Sequence, residues 1–456
     1  MPSRTIFLSV ALVVLGVFWT GRACAQEGPG MSKEQVTLLQ QAADKGDAEA
    51  QFKLGALYLQ GQGVPKDSAM AAKFFQKAAD QGNAKAQNGL GLMYFLGQGV
   101  SQDFAKAVTL LQKAADQGNV NAQNSLGGMY FLGRGVHQDF SKAAAFLQKA
   151  ADQGNATAQK NLGGMYFLGQ GVPQDFAKAA YLFQKAADQG DTDAQSSLGR
   201  MYFFGQGVHQ DSAKAVTLLQ KAADQGNANA QSDLGRMYAA GQGVPQDFAK
   251  AATFLQKAAD QGNAKAQSSL GGMYFEGLGI PQDFAKAVTL LQKAADQGEA
   301  QAQFTLAGMY ARGQGVPKDF AKAASFYQEA ADHGNTMAQF NLGILYESGQ
   351  GVPQDPAKAA EFYQKAADQG FAQAQNALGV HYERGLGVPK NPAKAFELYK
   401  KAADEGFALG QSNLGALYCQ GLGVSKDVKK GCELIRDALL KGVDGAQEAL
   451  KRYCSN

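Results

Sequence analysis

The 456 residues include 43 lysines and arginines and 40 aspartates and glutamates, which gives a formal net charge of +3 at pH 7. A balance this even excludes the strongly basic surface that nucleic-acid binding needs. The 56 glycines far outnumber the 11 prolines and recur at regular intervals, so they indicate punctuation between structural elements and exclude a low-complexity, disordered chain.

The first 25 residues are typical of a secretory signal peptide. Arg4 gives a positive start, an apolar run follows from Ile6 to Trp19, and Ala23 and Ala25 stand at the first and third positions of an A-x-A cleavage site. The run of about 14 residues is short of the roughly 20 that a membrane-spanning helix needs. We therefore expect cleavage after Ala25, export to the periplasm or the extracellular space, and a mature chain without a membrane span.

From residue 47 to 442 the chain consists of one 36-residue unit written eleven times. The second copy reads GNAKAQNGLGLMYFLGQGVSQDFAKAVTLLQKAADQ. Its first glycine recurs, without any insertion, at Gly46, Gly82, Gly118, Gly154, Gly190, Gly226, Gly262, Gly298, Gly334, Gly370, Gly406 and Gly442. A fixed period of this size is typical of arrays in which each unit buries its apolar face against its neighbours.

Each unit begins with a predicted helix A, residues 83–96 in the second copy. Ala86, Leu90 and Tyr94 recur there at helical spacing and form one apolar stripe. Gly91, beside the leucine, costs about 1 kcal/mol inside a helix. Its presence in nearly every copy therefore predicts a close crossing with another helix.

A predicted helix B follows at roughly residues 103–117. Gly97 and Gly99 between the two helices predict left-handed turns, and Gly118 is expected to be the left-handed residue after helix B. Gln87 of helix A is identical in all eleven copies. A catalytic residue is needed in one repeat only, whereas a residue that holds the scaffold together is needed in every repeat. We therefore expect Gln87 to make a structural hydrogen bond that recurs in each copy.

The two ends of the array carry half-units. Residues 32–45 resemble a lone helix B and residues 443–454 a lone helix A, which fits the caps that open arrays require. We predict an all-α fold of stacked antiparallel helix pairs in four segments: a signal peptide at 1–25, a linker and capping helix at 26–46, eleven repeats at 47–442 and a capping helix at 443–456.

The recurring residues are similar to the Sel1-like repeat of exported bacterial proteins, a relative of the tetratricopeptide repeat. In the second copy the pattern is carried by Ala86, Leu90-Gly91, Tyr94, Gly97, Gly99-Val100, Asp103, Lys106-Ala107, Lys113-Ala114-Ala115 and Gly118. The resemblance covers residues 47–442 and implies a right-handed α-solenoid whose A helices line a concave groove. It also implies a scaffold or adaptor role in envelope assembly, secretion, signalling or host interaction.

An alternative role comes from one secreted, cysteine-rich branch of that family, which is credited with binding or hydrolysing β-lactams. The first ten repeats contain no cysteine, and the chain lacks the S-x-x-K, S-D-N, K-T-G and G-x-S-x-G motifs. We therefore expect a non-enzymatic, monomeric protein without a cofactor that binds proteins. An envelope protein that binds or acts on β-lactams or glycans stays open as the alternative.

The positions of helix A that vary between copies are the predicted binding surface. In the second copy they are residues 85, 88, 89, 92, 95 and 96, and helical spacing places most of them opposite the apolar stripe. The predicted partner-binding residues are Phe95, Phe131, Phe167, Phe203, Phe275, Arg200, Arg236, Asn88, Asn124 and Lys160. Aromatic and arginine anchors are typical of protein interfaces. Packing of the phenylalanine rings between adjacent A helices is a compatible alternative.

Three cysteines, all near the C-terminus, would remain after cleavage. Cys432 in the last helix B and Cys454 in the capping helix come roughly level, so we predict a disulfide between them; three free thiols, or pairing by Cys419, stay open. The histidines lie in different repeats and no cysteine or carboxylate cluster has zinc spacing, so we expect no metal site. They are His137, His209, His333 and His381.

Overall fold

The computed structural model describes residues 32–454, and the predicted signal peptide lies outside that range. Every regular element within it is an α-helix, and no strand is present there. These residues form two compact units, whose boundary in the chain falls between Ala230 and Gln231. Between residues 32 and 454, no helix has both the length and the apolar character needed to cross a bilayer.

The helices alternate between the A and B types of the sequence repeat. The first twelve are α1 (Lys33–Asp44), α2 (Ala48–Gln60), α3 (Ser68–Asp80), α4 (Ala84–Leu96), α5 (Phe104–Asp116), α6 (Val120–Leu132), α7 (Phe140–Asp152), α8 (Ala156–Leu168), α9 (Phe176–Asp188), α10 (Thr192–Phe204), α11 (Ser212–Asp224) and α12 (Ala228–Ala240). The others are α13 (Phe248–Asp260), α14 (Ala264–Glu276), α15 (Phe284–Asp296), α16 (Ala300–Arg312), α17 (Phe320–Asp332), α18 (Thr336–Ser348), α19 (Pro356–Asp368), α20 (Ala372–Arg384), α21 (Pro392–Asp404), α22 (Ala408–Gln420), α23 (Val428–Leu440) and α24 (Ala446–Tyr453).

The even-numbered helices α2 to α22 are the A helices and the odd-numbered helices α3 to α23 are the B helices. A single helix, α1 or α24, stands at each end of the described chain. The expected all-α fold of stacked helix pairs is thereby confirmed.

Polar side chains and glycines set the ends of the helices. In the second repeat Asn83 caps α4 by accepting a hydrogen bond from the Ala86 amide at 2.9 Å. Asp103 caps α5 in the same way through the Lys106 amide, and that hydrogen bond lowers the pKa of the Asp103 carboxyl. Gly97 ends α4 in the left-handed conformation, with φ of 69°, as its position predicted.

The glycine inside helix A lets the two helices of a repeat cross closely. A Cβ added to Gly127 in α6 would lie 2.6 Å from Leu147 Cγ and 3.3 Å from the Ala143 carbonyl oxygen in α7. Side chains of ordinary size do not fit there. The predicted close crossing is confirmed.

The glutamine of helix A that is identical in all eleven copies makes buried hydrogen bonds that hold the structure together. Gln87 is 4% exposed, and its Nε2 donates to the Ala79 carbonyl oxygen at the end of α3 at 3.2 Å. Its Oε1 accepts from Gln117 Nε2, just after α5, at 2.8 Å. The amide therefore joins the ends of two successive B helices, and the scaffold interpretation is confirmed.

The second glycine of the loop between helices A and B rests on the preceding repeat. Gly135 has φ of +74°, and an added Cβ would lie 2.5 Å from the Phe104 carbonyl oxygen. Gly154, which follows α7, also has a positive φ, but no atom lies within 4 Å of an added Cβ. Substitutions at Gly135 and Gly154 therefore distinguish the cost of backbone strain from the cost of close packing.

We expect Gly135→Ala to destabilise the N-terminal unit more than Gly154→Ala. Both substitutions force alanine into the left-handed region, at about 1–2 kcal/mol each, but only Gly135→Ala also drives a methyl group into backbone, at about 1–3 kcal/mol more. Urea unfolding followed by circular dichroism measures the difference. Equal unfolding midpoints for the two variants would contradict the packing role of the second glycine.

Three buried tyrosines, Tyr327, Tyr363 and Tyr399, replace leucine in B helices of the C-terminal unit, and the last two donate to a glutamate. Tyr363 of α19 and Tyr399 of α21 are 1% and 0% exposed. Tyr363 donates to Glu347 Oε2 at 2.6 Å, and Tyr399 donates to Glu383 Oε2 at 2.7 Å. Burial first, and then the neighbouring carboxylate, raises the pKa of each phenol well above its usual value.

We expect the stability of the C-terminal unit to fall as the pH rises above about 10, the pKa of tyrosine in an unfolded chain. The folded state keeps the phenol protons of these tyrosines, which the unfolded state releases there, so the stabilisation is complete below that pH and is lost above it, by on the order of 1 kcal/mol per tyrosine at about pH 10.5. The double variant Tyr363→Phe/Tyr399→Phe should lose less of its urea midpoint between about pH 8 and 10.5. The same pH dependence in both proteins would contradict the assignment.

Candidate functional site

The predicted phenylalanine row lies near the C-terminal ends of A helices, where four of its five rings contact helix B of their own repeat. Phe95 is 2% exposed, and its ring meets the edge of Phe104, the first residue of α5, at 5.3 Å between centroids. Three half-buried members of the row make the same contact at 5.2, 5.1 and 5.6 Å: Phe131 with Phe140, Phe167 with Phe176 and Phe275 with Phe284. These four rings are part of the packing between paired helices.

The fifth member of the row, Phe203, has no such contact. Helix α11 begins with Ser212 in place of the phenylalanine that begins α5, α7, α9 and α15. Phe203 instead meets Phe204 edge-on, with centroids 4.9 Å apart and ring planes at 86°. Phe204 is 60% exposed, so the fifth repeat presents an aromatic pair at the surface.

Arg200 lies on the same helix as this pair, three residues before Phe203 and four before Phe204, and is half-buried. Residues at these spacings are neighbours on a helix surface. The end of α10 therefore groups a guanidinium with two phenyl rings. We call Arg200, Phe203 and Phe204 the α10 patch. Arg236, in the C-terminal unit, is about half exposed and lies 3.9 Å from Asp233.

The other polar candidates occupy one equivalent position in α4, α6 and α8. Asn88 and Asn124 each bury the Oδ1 atom, and the residues that the structure describes offer neither oxygen a hydrogen-bond partner. Lys160 is only 11% exposed and lies 3.2 Å from Asp193 and 3.5 Å from Asp191 at the start of α10. Its charge is therefore neutralised within the fold, where it joins two successive A helices.

A cluster of polar groups in the C-terminal unit was missed by sequence reasoning, which placed the histidines in separate repeats. His381 of α20 is 1% exposed, and its Nδ1 lies 2.8 Å from the Leu386 carbonyl oxygen, to which it donates. Its Nε2 has no hydrogen-bond partner among residues 32–454 and lies 3.7 Å from Glu347 Oε1. Glu347 also holds the Tyr363 hydroxyl, and the ring of Tyr363 lies 5.4 Å from that of His381.

A signal for this cluster exists in the sequence. Aligning the repeats shows Glu347 at the position of Phe95, Tyr363 at that of Leu111 and His381 at that of Met93. Three core positions thus become polar within two successive repeats. The three positions come together only through packing between neighbouring repeats. The sequence therefore shows that each residue differs from the repeat pattern, but it does not show that the three side chains lie in contact.

The three C-terminal cysteines lie together. Cys432 of α23 and Cys454 after α24 form a disulfide, with their Cα atoms 5.9 Å apart, and Cys419 of α22 is a buried free thiol. All three Sγ atoms lie within 4.8 Å of one another, and across residues 32–454 this is the group whose donor atoms could hold a soft metal ion. The disulfide occupies two of the three sulfurs, and only one thiol is left for such a role.

Comparison with known proteins agrees with the repeat structure. Eleven consecutive segments match the Sel1 repeat, at residues 48–83, 84–119, 120–155, 156–191, 192–227, 228–263, 264–299, 300–335, 336–371, 372–407 and 408–442. We found no match among curated proteins.

Two solved structures are similar to the chain. One is the crystal structure of c5321, a protective antigen present in uropathogenic Escherichia coli strains that displays an SLR fold; it is 36% identical over 92% of this chain and 90% of that chain, with a TM-score of 0.74. The other is a Sel1 repeat protein from Oxalobacter formigenes, 36% identical over 73% of this chain and 93% of that chain, with a TM-score of 0.53. Since the repeat matches extend over most of the sequence, the chain belongs to the Sel1 repeat family.

Proposed function

We propose that the protein is an exported, non-enzymatic scaffold that binds a partner protein on the surface of its A helices, with the α10 patch as its anchor. The observation that carries this proposal is the exposed aromatic pair of Phe203 and Phe204. Ser212 leaves Phe203 without its usual partner in helix B, and Phe204 keeps 60% of its surface in water. Burying such a ring against a partner contributes about 1.5–3 kcal/mol.

The chemistry of the patch favours a protein as the ligand. Aromatic rings beside an arginine are the residues that carry most of the binding energy in protein interfaces. Asn88 and Asn124 lie on α4 and α6 of the same unit, but each buries its Oδ1 atom, so the anchor is confined to the residues of the α10 patch. The packed rings, such as Phe131 and Phe167, hold the frame that presents them.

Export is supported by the N-terminal sequence and by the similar structure from Escherichia coli. Residues 1–25 have the composition of a signal peptide, with cleavage expected after Ala25. The similar protein is a protective antigen, a role that agrees with a protein outside the cytoplasm. The proposed place of action is the periplasm or the extracellular space.

We expect Phe204→Ala to weaken partner binding by about 2 kcal/mol, roughly 30-fold in Kd, without changing the fold. The partner is first identified by a photo-crosslinking phenylalanine analogue at position 204 in the producing cell, and the Kd of the purified pair is then measured by calorimetry. Tyr181→Ala is the matched control, because Tyr181 is 59% exposed but lies on the B helix α9. A weaker complex with the control variant, or an unchanged Kd with Phe204→Ala, would argue against the patch.

We expect Ser212→Phe to weaken binding as well, by about fivefold to tenfold, a change of roughly 1–1.4 kcal/mol. The new ring restores the partner that Phe104 provides for Phe95, so Phe203 turns away from Phe204 and the aromatic pair is lost. The variant leaves all three residues of the α10 patch in place. Undiminished affinity would show that the pairing of the two rings is not what the partner recognises.

A further inference from the structure

The last repeat departs from the other ten where its cysteines lie. Cys419 stands at the position of Phe95, near the end of helix A, and its Sγ atom is 4.0 Å from Cys432 Sγ. Cys419 and Cys432 are 5% and 6% exposed, whereas Cys454 is half-buried. A thiol thus lies against the inner sulfur of a disulfide, and the outer sulfur lies nearer to solvent.

A second departure makes room for that thiol. The position of Ala107 in helix B is alanine in the first ten repeats and glycine, Gly431, in the eleventh. A Cβ added to Gly431 would collide with Cys419 Sγ and would lie 2.6 Å from the Gly415 carbonyl oxygen. The two helices therefore approach each other more closely than alanine allows, and this approach brings the two sulfurs together.

We propose that Cys419, Cys432 and Cys454 form a thiol–disulfide exchange site. Because all three sulfurs lie within 4.8 Å of one another, Cys419 Sγ stands beside the disulfide, and a rotation of its side chain first brings it into line with that bond. The thiolate then attacks Cys432 Sγ, the bond between Cys419 and Cys432 forms as that between Cys432 and Cys454 breaks, and Cys454 leaves with the electron pair. Cys419 releases one proton to solvent and Cys454 takes one up. The step changes no oxidation state, because one disulfide and one thiol are present before and after it.

The exchange moves the free thiol from the core to the end of the last described helix. Cys454 then attacks an external disulfide, forms a mixed disulfide with one half of it and releases the other half as a thiol. The ligand class is therefore a molecule that carries a disulfide, either a small one or a partner protein. Burial, with the Asp427 carboxylate nearby, raises the pKa of the Cys419 thiol, so this group rests protonated and the Cys432–Cys454 bond persists until exchange.

The test incubates the folded, full-length oxidised protein with oxidised glutathione, followed by acid quenching and peptide mapping without reduction. We expect glutathione on Cys454 and a disulfide between Cys419 and Cys432. Cys419→Ser should abolish the adduct while the Cys432–Cys454 bond stays intact. Cys419→Ala serves as a second variant in case the buried hydroxyl disturbs the fold, which far-ultraviolet circular dichroism checks for every protein.

Three results would overturn the proposal. Glutathione on Cys419 itself would show a directly reactive thiol, and an undiminished adduct on Cys454 in both Cys419 variants would show attack on the protein disulfide by traces of reduced glutathione. The third is an unmodified wild-type protein under conditions in which free cysteine reacts to completion. Cys454→Ser tests the geometry separately. With oxidised glutathione as the oxidant, Cys419 and Cys432 should pair as two molecules of reduced glutathione are released, and two free thiols in that variant would count against the site.

Discussion

Within each of the two units, buried glutamine amides join successive helix pairs, and the regularity of the fold depends on this contact. The carbonyl groups of the last turn of a helix have no partner within that helix. The Gln87 nitrogen donates a hydrogen bond to the carbonyl oxygen of Ala79, and the Gln87 oxygen accepts one from Gln117 at the end of the next B helix. Because an amide donates and accepts at once, one residue type serves both junctions.

Where the sequence departs from this pattern, the contact persists with a different donor in two repeats and is lost in a third, where Glu405 follows helix B and Gln375 Oε1 has no hydrogen-bond partner among residues 32–454. His333 Nδ1 lies 3.1 Å from Gln303 Oε1, and Lys441 Nζ donates to Gln411 Oε1 at 2.9 Å. Each replaces the glutamine that follows helix B in other repeats. Glutamine, histidine and lysine nitrogens can thus each satisfy the buried oxygen, whereas the Glu405 carboxylate offers it no donor.

The parts of the fold that the sequence predicts well are those that repeat. Glycine beside leucine, the left-handed glycines and the identical glutamine each have one local cause, which eleven copies make visible. The direction of the phenylalanine row was less accessible. Helical spacing gives the direction in which Phe95 projects from its own helix. Whether the ring then contacts Phe104 or solvent depends on how helix B crosses helix A.

The same limit applies to residues that act together from different helices. His381 and Glu347 are neighbours only because successive A helices stack, and Cys419 reaches Cys432 only because Gly431 lets two backbones approach. In each case the departure from the repeat could be read from the sequence, whereas the meeting of the side chains required coordinates. Positions that break the period are therefore the most informative places to look for function in such a chain.

The unbroken 36-residue spacing has a consequence for how such a gene changes. Most repeats use the same glutamine, glycine and leucine contacts, so the loss or gain of one whole unit joins ends that fit each other closely. The insertion of a single residue, by contrast, shifts every later contact out of register within its repeat. A change in the number of repeats is thus the change that disturbs the contacts of this protein least. The number of repeats also sets how many A helices are available to a partner.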